Sequence, residues 1–317
     1  MNRLFKHAFT LIELLAVIAI IGILSGLIVV SMGGMTQKAT IAKSQVFSNS
    51  LKNALMLNLI SEWKFDELTT AVDSAAILDS WSGGNNNGFL DINLVAADTS
   101  DKLRTDNCVS GKCLFFDGTD DYVYVIGSEL ATSNLAITGA ITLATWVKFI
   151  TAGTATAIIG RGAGLAGNNN YGYSLTRNGT NNQIYFDTYS TTTRDALISS
   201  SAIVDDSWHY VVGTWDGTTN VNGKKIYIDA TLDNQKTSAI SIIGQPAYTF
   251  RMGRGGTGLY PLNGLLDEVR IYNTSIPTSQ IKEQYYVGLN KLLASGQVSV
   301  GEYQDNILKL SQYSANK

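Results

Sequence analysis

The sequence predicts an α+β protein with a long N-terminal hydrophobic α-helix, an antiparallel β-sandwich (jelly roll) and a short C-terminal helix. Three observations predict this order. Residues 14–32 form an apolar run without a charge, long enough to cross a bilayer as a helix. After residue 60 the apolar period changes from about 3.6 residues to 2. Gly/Asn clusters then separate short runs of strand-forming residues, and a helical pattern returns near the C-terminus.

The composition limits the classes of function. The chain has 317 residues, which suits about two domains. Its formal net charge is −3, and only 15% of its residues are charged. Because there is no basic surplus to neutralise phosphates, we expect no nucleic-acid partner. Two Cys and two His exclude a zinc-finger array.

The N-terminal segment has the charge pattern of a membrane helix. Arg3 and Lys6 precede the apolar run, which favours a cytoplasmic N-terminus. A secretory signal peptide would have a shorter apolar region and an Ala-x-Ala-like site after it, and residues 31–34 do not supply that site. Glu13 lies inside the apolar region, where a carboxylate costs about 2.5–3.5 kcal/mol. It therefore requires a partner or a role.

The string from Lys6 to Leu15, KHAFTLIELL, resembles the processing site of type IV prepilins and pseudopilins. The resemblance implies that a prepilin peptidase cuts between Ala8 and Phe9 and that Phe9 becomes the N-methylated terminus. Ala8 is a departure, because the family more often has Gly there. In a filament, the amine of Phe9 would pair with Glu13 of a neighbouring subunit, which satisfies both buried charges and favours assembly in register.

The helix is expected to continue beyond the membrane as far as residue 60. Residues 38–60 keep apolar side chains at helical spacing, and no Pro occurs before residue 246. An unbroken helix from Phe9 to Asn58 would be about 75 Å long. The sequence therefore predicts a leader at 1–8 and a transmembrane and filament helix at 9–60.

The next segment has the pattern of a sandwich. Strand-like runs include residues 122–126, 141–149 and 208–215, and Gly/Asn turn clusters lie between them. Many short strands without intervening helices indicate a β-sandwich or jelly roll. Trp146, Trp208 and Trp215 lie in regular strands, which favours a packing role for them.

Several strings occur in an order that resembles the laminin-G-like jelly roll of the concanavalin A-like lectin/glucanase superfamily. The resemblance covers most of 61–285 and implies two antiparallel sheets, with carbohydrate or protein ligands bound at a concave face or loop edge. Residues 286–317 are expected to form a helical tail. The strings are WKFDE (63–67), DSWSGGNNNG (79–88), GKCLFFDGTDDYVYV (111–125), ITLATWVKF (141–149), DDSWHYVVGTWDG (205–217), KIYIDA (225–230) and LNGLLDEVRIYNTSIPTSQI (262–281).

The resemblance also suggests a structural Ca²⁺. In several superfamily members, acids near the first strand, a Gly/Asn-rich loop and the last strand hold this ion. The corresponding candidates here are Asp79, Asn87 and Asp267, with Asp66 and Asp117 behind them. Asp267 is an even number of positions away from Leu265, Val269 and Ile271, so in a regular strand all four side chains would lie on one face. We therefore expect the Asp267 carboxylate near an apolar face, where it must be paired. The alternative is that these acids cap turns or pair with Arg251, Arg254 or Arg270.

Cys108 and Cys113 enclose four residues that include Gly111. A hairpin turn there could join them, and an exported domain with two cysteines most simply forms one disulfide. Two free thiols are the alternative, but they would imply a reducing compartment and conflict with the export signal.

Catalysis is not expected. A retaining glycosidase needs two carboxyl groups about 5 Å apart. The acid pairs Asp66–Glu67 and Asp267–Glu268 are adjacent in sequence, and adjacent residues of a strand point to opposite faces.

Together these features predict a type IV pilin-like filament subunit. Its precursor would lie in the cytoplasmic (inner) membrane, and the assembled subunit would display a lectin-like head for adhesion or ligand binding at the cell surface. Its partners would be the membrane, a prepilin peptidase, other subunits and a carbohydrate or other surface ligand. The alternatives are a pseudopilin or minor pilin of a secretion or DNA-uptake system, and a membrane-tethered lectin-like protein that never polymerises.

Overall fold

The structure is a computed structural model, and its described part belongs to one compact unit, Leu55–Lys317. The predicted leader, the membrane helix and the residues Ala8, Phe9 and Glu13 lie outside the described residues. Among the helices that are described, none is both long and apolar enough to span a bilayer. The structure describes residues 58–67, 76–81, 86–91, 103–162, 172–245, 248–256 and 258–315.

Two antiparallel sheets account for the strands in this part of the chain, which confirms the predicted sandwich. The strands are β1 (Leu59–Trp63), β2 (Ala76–Ile77), β3 (Gly88–Asp91), β4 (Leu103–Arg104), β5 (Cys113–Asp117), β6 (Tyr122–Val125), β7 (Ile141–Phe149), β8 (Thr156–Arg161), β9 (Tyr173–Arg177), β10 (Gln183–Tyr189), β11 (Arg194–Ala202), β12 (Trp208–Trp215), β13 (Lys224–Ile228), β14 (Thr231–Lys236), β15 (Phe250–Met252) and β16 (Asn263–Tyr272).

The sheets differ in strand order. The first sheet has the order β14-β13-β12-β7-β16-β5-β4, and β1 also pairs with β16. The second sheet has the order β11-β10-β9-β8-β15-β6-β3-β2. Consequently β15, which lies late in the chain, is inserted between β8 and β6.

The main core lies between the two sheets. The inward-facing apolar side chains of each strand fill it, and they alternate along the strand with side chains on the outer face. On β6, Val123 and Val125 are buried, whereas Tyr122 and Tyr124 are half-buried on the opposite face. Trp63 of the first sheet stacks on Phe250 of the second, with ring centroids 5.3 Å apart. This contact joins the two layers.

A second apolar cluster covers the outer face of the first sheet. Helix α1 (Thr278–Ala294) lies there, and helix α2 (Val300–Ala315) follows it. The predicted boundary between residues 285 and 286 falls within α1. The buried stripe of α1 is the one that the helical spacing indicates, namely Ile281, Tyr285, Leu289 and Leu292. Tyr285 stacks on Trp146 at 5.4 Å.

Strand β16 contains a bulge that sequence alternation did not predict. Its register with β7 shifts between Asp267 and Arg270, and Glu268 has a positive φ of 51°. Val269 and Ile271 therefore face the main core, while Leu265 packs with the Cys108–Cys113 pair. The prediction that Asp267 shares a face with Val269 and Ile271 is wrong, because the extra residue reverses the alternation.

Candidate functional site

The structure brings Asp79 and Asn87 together. Asp79 Oδ1 accepts hydrogen bonds from the backbone N–H groups of Glu62 (2.9 Å) and Trp81 (3.1 Å), and Oδ2 accepts one from Asn86 (3.3 Å). Asn87 Oδ1 accepts the N–H of Asp79 at 2.9 Å. Burial raises the pKa of Asp79. Both side chains therefore cap backbone groups, as the alternative interpretation of these residues expects.

Asp267 lies at a different place, beside the loop between the cysteines. It is fully buried, and its Oδ2 accepts the N–H of Ser110 at 2.9 Å. Asp66 lies nearby and accepts the N–H of Lys112 at 2.9 Å. Burial and then the charge of Glu268 raise the pKa of Asp267 well above its usual range. The predicted calcium candidates thus fall into separate hydrogen-bond networks.

Asp117 belongs to a third group. One carboxylate oxygen from each of Asp117, Asp120 and Asp121 lies within 4.8 Å of the others, so this cluster could hold a metal ion. The loop is pre-shaped by its own contacts: Asp121 Oδ2 accepts the N–H of Asp117, and Asp117 Oδ1 accepts the N–H of Thr119. Of these three acids only Asp117 is among the candidates predicted from the sequence, although three acids within five positions of a Gly-containing turn were a visible signal.

The predicted disulfide is confirmed, since Cys108 and Cys113 are bonded with their Cα atoms 5.5 Å apart. Gly111 is required in this loop for two reasons: its φ is +54°, and a Cβ there would lie 1.9 Å from Asp66 Oδ1. On the other side of the loop, Lys291 of α1 donates to Ser110 Oγ at 2.6 Å. The loop therefore joins β16, α1 and the segment after β1.

Asp267 and Glu268 do not point to opposite faces, contrary to the prediction. The bulge turns Glu268 so that it pairs with Arg270 and with Lys291 of α1. These cations lower the pKa of Glu268 to about 2, even though burial opposes them. Both acids are buried, with exposed fractions of 0% for Asp267 and 4% for Glu268. They are therefore internal to the fold.

The outer face of the second sheet presents a different surface across β3, β6 and β15. Phe89 and Asp91 lie opposite Tyr124 and Tyr122, and Arg251 lies on the other side of Tyr124. The centroid of the Tyr124 ring is 5.9 Å from that of Phe89 and 5.8 Å from that of Tyr122. We call these three rings the aromatic ladder.

Three charged groups border the aromatic ladder: Asp91, Arg251 and Arg254, whose guanidinium lies 5.8 Å from the centroid of the Tyr122 ring. The hydroxyl of Tyr122 donates to Asp91 Oδ2 at 2.5 Å, and the Arg251 guanidinium lies 4.5 Å from the centroid of the Tyr122 ring. Burial and the bond to Asp91 raise the pKa of Tyr122 to about 12, so the phenol is a neutral donor. This surface was not predicted from the sequence, although the alternation of Tyr and Val in residues 122–125 was a signal for it.

A second polar pair on the same sheet is satisfied internally. Arg194 binds the buried Asp187 through two hydrogen bonds of 2.9 and 3.1 Å. Its guanidinium also lies 5.8 Å from the ring of Tyr185 and 6.0 Å from that of Tyr189. Because the fork geometry uses both carboxylate oxygens, this pair stabilises β10 against β11.

The two-sheet antiparallel sandwich agrees with the sequence comparisons. The profile of the Concanavalin A-like lectin/glucanases superfamily matches residues 117–282, just over half of the chain. The chain belongs to this superfamily. A second profile, the prokaryotic N-terminal methylation motif, matches residues 4–29 and confirms the resemblance to prepilins. No curated protein has significant sequence similarity to this lectin/glucanase-type chain.

Solved structures show the same fold at low identity. The binding domain of botulinum neurotoxin DC, in complex with rat synaptotagmin II, has a TM-score of 0.53 and 14% identity over 74% of this chain. The match covers 52% of that domain, so the chain spans about half of its length. Domain 4 of AbnA, a GH43 extracellular arabinanase from Geobacillus stearothermophilus in complex with arabinotriose, has a TM-score of 0.50 and 16% identity, covering 71% of this chain and 97% of the domain. At such identities the likeness shows the fold alone.

Proposed function

We propose that the chain is a type IV pilin-like subunit that displays its sandwich as a ligand-binding head for surface adhesion. The observation that carries the proposal is the presence of two segments in one chain. The methylation motif at 4–29 implies membrane insertion, peptidase processing and filament assembly, and the lectin-like domain at 117–282 implies binding. A non-enzymatic role is supported by the burial of the Asp267–Glu268 pair.

Processing and assembly are tested first. Intact-mass analysis of the mature protein should give an N-terminus at methylated Phe9, and Glu13→Ala should lower the yield of filaments sheared from cells while the head still folds. A chain cut elsewhere, or left uncut, would favour the membrane-tethered alternative. Correct processing with little material in the sheared fraction would favour the pseudopilin or minor-pilin alternative.

Adhesion is tested separately on intact filaments. Cells that carry wild-type filaments should adhere to glycan-coated or host-cell surfaces better than cells that lack this subunit. Equal adhesion by both strains would refute the role in adhesion without affecting the role in the filament.

A bound Ca²⁺ stays a proposal. The group formed by Asp117, Asp120 and Asp121 supports it better than Asp79 and Asn87, whose side chains cap backbone N–H groups. Calcium takes six to eight oxygen ligands, and three carboxylates supply part of such a shell. Thermal unfolding in Ca²⁺ and in chelator should differ for the wild type and coincide for Asp120→Asn. Coincident curves for the wild type would rule out the ion.

A further inference from the structure

Arg177 is a buried cation without a carboxylate partner. It is the last residue of β9 and is 1% exposed. Lys224 is buried to the same degree, but its ammonium pairs with Asp195 at 3.2 Å. Burial lowers the pKa of Arg177 to about 10, and no carboxylate of the described residues offsets this shift. The guanidinium therefore keeps its charge at neutral pH in a site that is shielded from bulk water.

The protein satisfies only part of this guanidinium. Its face lies over Phe149 of the first sheet, 3.9 Å from the ring centroid, which is a favourable cation–π contact. Nη2 donates to the carbonyl of Thr151 and, at 3.3 and 3.4 Å, to the hydroxyl and the carbonyl of Thr154. Nε and Nη1 are buried, and neither has an acceptor among the described residues. These two nitrogens carry three of the five N–H donors of an arginine.

We propose that Arg177 binds a small inorganic anion of the size of chloride beneath the loop of residues 150–155. The site would belong to the head itself. It goes beyond the proposed function, because neither filament assembly nor adhesion requires it.

The charge of the guanidinium favours an anion over water. An isolated ion inside a protein is strongly unfavourable, so buried charges normally have a counter-ion. The two loops next to the guanidinium, residues 150–155 and 178–182, contain no acidic residue. Water could accept the N–H groups of Nε and Nη1, but it would leave the charge uncompensated.

The contacts between these two loops favour a small anion. The N–H of Gly153 donates to Asn182 Oδ1 at 2.8 Å. A Cβ added at Gly179 would lie 2.5 Å from the backbone nitrogen of Ala155. Because the loops pack closely against each other, a monoatomic anion fits beside the guanidinium better than a phosphate or a sulfate. Nη1 carries two of the three remaining N–H groups and is the donor that we expect the anion to use.

The loop of residues 150–155 also provides a route for exchange. Ala152, Gly153 and Thr154 are exposed and have small side chains. Their outward displacement would uncover the guanidinium without disturbing the main core, in which Phe149 is buried.

The test is thermal unfolding of the full chain in uncharged detergent micelles, with sodium chloride replaced stepwise by sodium gluconate. Gluconate keeps the ionic strength constant and is too large for the site. Raising chloride from about 1 mM to about 200 mM should raise the midpoint of the wild type by about 2–4 °C, because a ligand that binds only the folded state stabilises it. Arg177→Met keeps a long apolar side chain over Phe149 and should lose this shift.

Arg254→Met is the matched control. Arg254 also donates to backbone carbonyls, those of Asp120 and Gly258, but it is only half-buried, so water can solvate its charge. This variant should keep the chloride shift of the wild type. Arg177→Gln replaces Arg177→Met if the latter does not fold, because its amide can still donate to the carbonyl of Thr151.

Broadening of the chloride NMR signal measures binding directly. The wild type and Arg254→Met should broaden the signal more than the Arg177 variant does. A wild-type midpoint that is the same in chloride and in gluconate would overturn the inference and would indicate that water alone solvates Arg177. An equal chloride shift in the Arg177 variant, an equal loss of the shift in Arg254→Met, or equal broadening by all three proteins would also overturn it.

Discussion

Gly288 of α1 lies directly over the indole ring of Trp146 on the outer face of the first sheet. A Cβ added at Gly288 would approach Trp146 Cζ2 to 2.4 Å, closer than side-chain contacts allow. The Trp146 ring also packs against the rings of Tyr210 and Tyr285, with centroid distances of 5.3 and 5.4 Å. The glycine therefore sets how closely the helix approaches the sheet.

Replacing Gly288 with Ala is predicted to destabilise the head. Overpacking a tight contact costs about 1–3 kcal/mol, which exceeds the gain of up to about 1 kcal/mol from better helix propensity. The measurement is the free energy of unfolding in urea. Gly301→Ala on α2 is the control, because a Cβ there meets only Ser299 Oγ at 3.9 Å. Gly301→Ala should be neutral or stabilising, and equal behaviour of the two variants would contradict the close contact.

His209 is predicted to stabilise the fold as a cation. Its two ring nitrogens lie 2.8 Å from Asp229 Oδ2 and 2.7 Å from Asp205 Oδ1. Burial opposes the charge, but the two carboxylates outweigh it and raise the pKa of His209 to about 10. Because the folded state holds the proton more tightly than the unfolded state, this stabilisation is complete below about pH 6.5 and is lost as the pH rises towards 10.

The check is the difference in unfolding free energy between the wild type and His209→Gln. It should be on the order of 2 kcal/mol at about pH 6 and should shrink by about pH 9.5. Asp206→Asn is the control, since Asp206 is exposed and its ion pair with Lys148 lies at the surface. A pH-independent difference for His209→Gln would show that the ring acts through packing alone.

The sequence predicted the layers better than the site. Strand periodicity and the spacing of Ile281, Tyr285 and Leu289 are local signals, and the structure confirms the sandwich and the helix stripe. The bulge at Glu268 is set by tertiary contacts with Arg270 and Lys291. Alternation alone could not reveal it.

The aromatic ladder could not be predicted from the sequence for a different reason. It depends on the pairing of β6 with β15, which places Arg251 opposite Tyr124 although the two residues are far apart in the chain. Long-range strand order is not encoded in the periodicity of either strand. Likewise, Asp79 accepts the backbone N–H of Glu62 only because the fold places its loop beside β1.

Asp267→Asn is predicted to stabilise the head above about pH 5. The pKa of Asp267 is raised, so the folded state keeps a proton that the unfolded state loses above pH 3.8, and rising pH therefore removes stability. Asn is similar in shape to the protonated acid, and its oxygen can accept the N–H of Ser110. We expect a gain of at least about 1 kcal/mol at about pH 8. Repeating the measurement in Ca²⁺ separates the alternatives, because an ion on Asp267 would make the variant less stable than the wild type.

Lys224 is predicted to contribute more to stability than Lys236, the other cation that pairs with Asp195. It is fully buried on β13, and its ammonium donates to Thr188 Oγ1 at 2.8 Å and pairs with Asp195 Oδ2 at 3.2 Å, so it joins the two sheets. Burial lowers the pKa of Lys224 to about 8, although Asp195 opposes this shift. Truncation to Ala would leave Asp195 with a weaker set of partners in a desolvated site.

Lys224→Ala should therefore cost about 3–5 kcal/mol of unfolding free energy, which is the range for breaking a buried pair. Lys236 provides the matched control: it pairs with the same carboxylate, but its side chain is 34% exposed. Lys236→Ala should cost about 1 kcal/mol or less, because water can replace a partly exposed partner. Similar losses of unfolding free energy in the two variants would contradict the prediction, because they would show that the burial of each lysine does not determine its contribution to stability.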